Sequence, residues 1–197
     1  MINVPSLLLY MFVQLFTPGP SNFMSMYSAA RYGMKGAKGY LLGTMCGYSV
    51  KLVLCGLLSL ALAQIVPQAV PYLKWVGGAY LLYLAVQVLL SSRKEKERPQ
   101  GEQAGSSTFL SGILLQCLNI KSWVFGLTVF SMYITPYTTA TGDILFWALV
   151  SCVIMIGCTL CWAAFGNAMR RVYAKYRFAF HIVMAVVLVY CAIMAVL

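Results

Sequence analysis

Six separate windows of this chain each hold the roughly 20 apolar residues that a helix needs to cross the hydrocarbon core of a bilayer, at about residues 5–29, 39–63, 69–91, 108–133, 143–165 and 178–197. No soluble fold hides them all. Of the 197 residues, 61% are hydrophobic and only 9% charged, which is more apolar surface than one core can enclose. The strand-length alternation of a membrane barrel is absent. The expected fold class is an all-α membrane protein with six transmembrane helices.

The formal charge of +10 does not point to nucleic acid, because the basic residues fall in short clusters between apolar windows. Arg31, Lys35 and Lys38 follow the first window, Arg93, Lys94, Lys96 and Arg98 the third, and Arg170, Arg171, Lys175 and Arg177 the fifth. The other two connections, "QIVPQAVPYLK" and "ITPYTTATGD", contribute only Lys74. The positive-inside rule puts the three basic loops in the cytoplasm and both termini outside. One polar, charge-mixed stretch, "SSRKEKERPQGEQAGSST", reads as a cytoplasmic linker over residues 92–107. It divides the chain into a three-helix repeat over 1–91 and a second over 108–197. An odd number of spans per repeat makes the second enter the membrane in the opposite sense, giving two inverted three-helix repeats, N-out/C-out. "QLFTPGP" from Gln14 matches "QCLNIKS" from Gln116, so that Gln14 corresponds to Gln116 and Thr17 to Asn119.

Inside the first window lies "FTPGPSN", residues 16–22. Pro18 and Pro20 lack the amides that would bond back, and their rings clash with the carbonyls of Gln14 and Phe16. The plainer alternative is a kink that serves only packing; two prolines around a glycine, beside Gln14, Thr17, Ser21 and Asn22, favour a break. Thr17 is the expected cap and Pro18 the expected first residue of a new half-helix. Such a break leaves carbonyls able to accept from an ammonium and an N-terminus that favours a carboxylate, at a depth where lipid offers neither. Together they suit a zwitterion.

Lys51 and Lys121 lie deep in the second and fourth windows, and intramembrane ionisable residues carry a functional expectation. Lys121 has polar neighbours in Asn119 and Ser122, whereas Lys51 is equally suited to a structural role bonding carbonyls. The candidate substrate-binding residues are Gln14, Thr17, Pro18, Gly19, Pro20 and Asn22, with Lys51, Gln116, Asn119 and Lys121. Glu95, Glu97 and Glu102 fall in the linker and Asp143 at the outer edge of the fifth window, so no span carries a carboxylate. An unpaired buried charge is costly, so neutral substrates fit better than dibasic ones. Gly39, Gly43 and Gly47 recur on one face of the second window as a close-packing stripe. Gly33 and Gly36 are expected to shape the turn before it. His181 is expected at the inner membrane interface. Seven cysteines at span depth read as small apolar fillers, and although Cys158 and Cys161 have the spacing of a redox or zinc pair, no second pair accompanies them. Neither a catalytic group, a cofactor nor a metal is expected.

The chain resembles the lysine exporter and homoserine-threonine exporter family of bacterial amino-acid efflux carriers over essentially its whole length. The resemblance rests on "TPGPSN", "RYGMKGAKGYLLGTMCGY", "WVGGAYLLYLA", the polar linker and "GILLQCLNIKSWVFG" in that order. "LNIK" and "VLVYCAI" are most similar to the cysteine and O-acetylserine exporter branch. Many family members have Asn-Pro-Lys where this chain has Asn119-Ile120-Lys121, which leaves a break in the fourth window open. Many also have an acid just after the first-window motif, where this chain reads Ser21-Asn22. The resemblance implies a secondary transporter in the bacterial cytoplasmic membrane that exports small amino acids or their derivatives, driven by the proton gradient. Its partners are then an amino-acid substrate and the lipid bilayer, with a homo-oligomer compatible. The competing classes are a transmembrane thiol-disulfide electron carrier, which needs a reactive cysteine in each repeat, and a non-transporting membrane scaffold.

Overall fold

A computed structural model of the chain describes residues 2–96 and 108–196, and among them the regular structure is helical. Helix α1, Val4–Phe16, starts where the Asn3 side chain accepts from the Ser6 amide at 3.2 Å and stops at Thr17. Two non-helical residues later α2, Pro20–Leu57, begins with Pro20 as its first residue and Gly19 as its cap. The expected break is therefore present, with its cap shifted. Thr17 ends α1, and its hydroxyl bonds back to the Val13 carbonyl. The prolines explain the shift, because Pro20 rather than Pro18 takes the position where a missing amide costs nothing.

Helix α2 is kinked at Gly33, whose φ of 70° and ψ of 171° leave the helical region. It is the only residue with positive φ among those described, a conformation open to glycine because it has no Cβ. Gly36 is helical. Leu58 alone separates α2 from α3, Ser59–Lys96. Helical backbone thus runs through residues 64–74, the stretch read from sequence as an outer loop. Pro67 and Pro71 both fall within this helical stretch. The first residues of the expected linker, 92–96, continue α3; the rest of it lies outside the described residues.

The second half opens with α4, Phe109–Leu118, capped by Thr108. Helix α5, Ile120–Thr128, follows after Asn119 and passes into a wider π-helical turn, Val129–Ile134. The two segments meet at a 63° bend. Then come α6, Thr141–Ala168, the short α7, Arg170–Lys175, and α8, Arg177–Val196. Among the described residues three helices are long and apolar enough to cross a membrane (Pro20–Leu57, Thr141–Ala168 and Arg177–Met194), or four if the bent pair, Phe109–Leu118 with Ile120–Ile134, is one span. Val4–Phe16 and Lys74–Leu90 are shorter apolar helices. Outward-facing Leu149 and Val186, 62% and 61% exposed, belong to a surface that lipid covers.

Helix α2 packs along α4 and α6, and α3 packs along α8. Glycines set the closest approaches. A Cβ on Gly43 would collide with the Phe109 carbonyl, one on Gly112 with the Tyr40 carbonyl, and one on Gly166 with the Met26 carbonyl. Gly47 faces Ile113 and Gln116 at 3.3 Å, so two glycines of the expected stripe meet α4. Two buried apolar clusters result. One joins Tyr27, Tyr40, Leu81, Leu115 and Leu188, and the other Leu7, Met11, Tyr48, Phe125 and Ile144. His181 is a core residue and not an interface one: it is 0% exposed, with Nδ1 2.7 Å from the Arg177 carbonyl. The Tyr27 and Tyr173 rings close over it, which removes the imidazole from any water layer.

Candidate functional site

The two breaks come together. Gln14, Leu15, Gly19, Ser21 and Asn22 from the first, and Gln116, Asn119, Lys121 and Ser122 from the second, line one cleft of about 440 Å³, its mouth included. Tyr48 and Phe125, with Met155, Cys158 and Thr159 of α6, complete the wall. A second cavity, about 380 Å³, lies on the far side of the breaks against α3 and α8. Pro18, Gly19, Pro20, Asn119 and Lys121 line it too. Gly19, Asn119 and Lys121 therefore stand between the two spaces. No carboxylate is among the residues lining either one.

The α1 break is stitched by side chains. Asn22 Nδ2 donates to the carbonyls of Leu15 at 2.8 Å and Thr17 at 3.1 Å. The Cys158 thiol also reaches the Leu15 carbonyl, at 3.1 Å. Lys121 Nζ, from the other half of the chain, donates to the Thr17 carbonyl at 2.7 Å. The carbonyls bonded at this break are those of Leu15 and Thr17. Protein donors hold both, as backbone at this depth requires.

The second break needs no proline. Asn119, at φ −81° and ψ 99°, is extended, and it ends α4 while starting α5. Its carbonyl accepts from the Ser122 hydroxyl at 2.7 Å. The Trp123 indole takes the Cys117 carbonyl at 2.8 Å, and Lys51 Nζ takes the Gln116 carbonyl at 2.8 Å. Substitute donors for the Gln116 and Cys117 carbonyls near the end of α4 let the helix stop without a proline.

The expected site residues divide accordingly. Gln14, Gly19, Asn22, Gln116, Asn119 and Lys121 line the first cleft, whereas Pro18 and Pro20 face the second. Thr17 contributes its carbonyl. Lys51, 4% exposed, is not among the lining residues of either cavity. Its ammonium also donates to Ser122 Oγ and sits 5.4 Å from the ring centres of both Tyr48 and Trp123. That makes it the fastener of the α4 break from behind. Gln116, 2% exposed, donates to Ser21 Oγ at 2.9 Å and joins the two breaks directly.

Tyr48, Cys158 and Thr159 were missed from sequence. Tyr48 had a readable signal, lying one helical turn before Lys51 and so on the same face. Cys158 and Thr159 had none, because only packing brings α6 against α1.

Gly19 offers a local test. Its φ of −169° is extended backbone, so alanine fits the chain itself. The added Cβ would lie 3.3 Å from Lys121 Cδ and 3.5 Å from its Nζ. Gly19→Ala is expected to weaken substrate binding about tenfold, the worth of one charge-assisted hydrogen bond, with little change in melting temperature. Titration calorimetry beside a thermal melt checks both.

A family model described as LysE type translocator matches residues 12–197. The chain is 33% identical, over 93% of its own length and 92% of theirs, to proteins named cysteine/O-acetylserine efflux protein. Three of these come from Escherichia coli (strain K12), Escherichia coli O9:H4 (strain HS) and Shigella flexneri serotype 5b (strain 8401). No solved structure matches the chain.

Proposed function

From the premise that the chain belongs to the LysE-type translocator family, we propose that it is a secondary carrier that exports small neutral amino acids, or derivatives of the cysteine and O-acetylserine kind. It works across the bacterial cytoplasmic membrane, with the proton gradient as its driving force as the family resemblance implies. The observation that carries the reading is Lys121 reaching from the second break to the Thr17 carbonyl of the first.

The chemistry follows from the donors present. The substrate carboxylate draws the Lys121 ammonium off Thr17 and meets the half-helix N-termini of α2 and α5, whose first-turn amides lack helical partners. The substrate ammonium takes the Thr17 carbonyl in exchange. With no acid lining the cleft, a second positive charge on the substrate would stay unpaired, which selects against dibasic amino acids. Gln14, Asn22, Gln116 and Asn119 supply the neutral polar wall.

The wider architecture in this reading is six spans in two inverted repeats, residues 1–91 and 108–197, with both termini outside. In this reading α3 and α8 are the last helices of the two repeats, and they pack along each other.

A survey of amino acids in the medium of overexpressing cells tests the function. Neutral amino acids or their O-acyl and thiol derivatives are expected to rise, with lysine and arginine unchanged. A medium identical to that of vector-only cells would overturn the carrier and favour a scaffold. The thiol-disulfide alternative has its own test. A variant with Cys158→Ser and the other six cysteines as alanine is expected to keep its efflux, since α1 carries no cysteine and the Cys158 donor is kept.

A further inference from the structure

We propose that the Tyr48 hydroxyl reads the substrate side chain, and that the cleft is built for a neutral amino acid whose side chain ends in a carbonyl acceptor, such as an O-acyl ester. The inference rests on the carrier reading above and adds what that reading leaves open, the side-chain subsite.

Tyr48 is 3% exposed, and its hydroxyl has no hydrogen-bond partner. A buried unpaired hydroxyl is costly and rare in a native structure. Two other buried hydroxyls, those of Tyr40 and Thr44, are also unpaired, but they differ in surroundings. Tyr40 has the hydroxyls of Thr44, Ser21 and Ser25 about it, so a small rotation satisfies it. The polar groups around the Tyr48 hydroxyl are the thiols of Cys55, Cys152 and Cys158 and the Tyr10 phenol. Thiols are weak partners, and none of the four closes a bond.

Tyr48 also lines the cleft into which both helix breaks open. Its ring is held on one side by Phe125, 6.1 Å between centres, and on another by the Lys51 ammonium, 5.4 Å away. Lys51 is itself tied to Gln116 and Ser122. The phenol is therefore fixed before a ligand arrives, the condition under which a hydrogen bond discriminates best. Lys121 and the half-helix ends take the substrate's charged groups, and the wall made by Tyr48, Phe125 and Met155 is left for its side chain. That wall is apolar except for one strong donor. A site built around such a donor rejects an analogue that cannot accept from it.

The test compares three amino acids of matching side-chain shape in proteoliposomes: O-acetylserine and glutamine, which carry the carbonyl, and homoleucine, which does not. The wild type is expected to favour the first two over homoleucine by about 10- to 100-fold in uptake at low concentration. In Tyr48→Phe that preference is expected to vanish, through loss of the carbonyl substrates rather than gain of homoleucine. The unliganded variant is expected to melt at the same temperature as wild type or higher, since it sheds an unpaired buried group. A purely structural tyrosine would lower the melting temperature and depress all three substrates alike, and either result overturns the assignment. Ligand-induced thermal shifts of the wild type give a measurement that needs no variant, with O-acetylserine expected to shift melting more than homoleucine. Equal handling of the three by the wild type overturns the Tyr48 assignment alone. A wild type that moves no amino acid overturns the carrier reading with it.

Discussion

Lys121→Ala is expected to lower efflux about 100-fold while the protein still reaches the membrane. In the proposed carrier Lys121 serves two partners in turn, the Thr17 carbonyl at 2.7 Å and the substrate carboxylate. A charge-assisted bond contributes about 1.5–3 kcal/mol, which converts to roughly tenfold to 100-fold in binding. Stability should move less, because Asn22 still donates to the Thr17 carbonyl at 3.1 Å. Lys121→Arg keeps the charge on a planar, wider head, and is expected to retain part of the activity. The readout is substrate-induced thermal stabilisation alongside efflux from loaded cells. If Lys121 only stitched the break, Lys121→Ala would lower the melting temperature and leave the substrate-induced shift intact.

The largest expected effect on stability lies away from the cleft, and it reverses a familiar sign. Replacing glycine by alanine in a helix interior ordinarily stabilises by up to about 1 kcal/mol. Gly43→Ala and Gly166→Ala are each expected to destabilise by about 3 kcal/mol, since the new methyl lands on a backbone carbonyl of the neighbouring helix and neither backbone can yield alone. Gly157 lies in the same helix as Gly166 and has nothing within 4 Å of its Cβ position. Gly157→Ala is therefore expected to be neutral or slightly stabilising. Thermal melts of the three variants in detergent separate the cases. A loss in Gly157→Ala as large as that in Gly166→Ala would mean that α6 does not tolerate alanine for reasons unrelated to its contact with α2.

The break at residues 17–19 was legible in sequence because proline acts locally. A ring that clashes and an amide that is missing need no tertiary partner to end a helix. The break at Asn119 was not legible, because nothing in "LNIKS" forbids a helix. There Lys51 and Trp123 satisfy the Gln116 and Cys117 carbonyls that a continuous helix would have used, and Lys51 lies 65 residues away from Gln116. The same distinction explains the error at residues 64–74, where two prolines suggested a loop and the structure carries helix.

The two buried lysines show it most sharply. Sequence alone placed both at membrane depth and made both candidates for binding, because hydropathy records depth and says nothing of direction. Tertiary packing separated them. Lys121 came to lie between two cavities and across the first break, while Lys51 was sealed behind the second between two aromatic rings. The apolar windows and the proline pair pointed to an all-helical membrane chain with a broken first helix, since each acts through composition or local sterics. Which carbonyls are free, which lysine faces the cleft, and that a tyrosine hydroxyl waits there unpaired depended on helices far apart in the chain meeting at particular glycines, and only the folded structure could decide them.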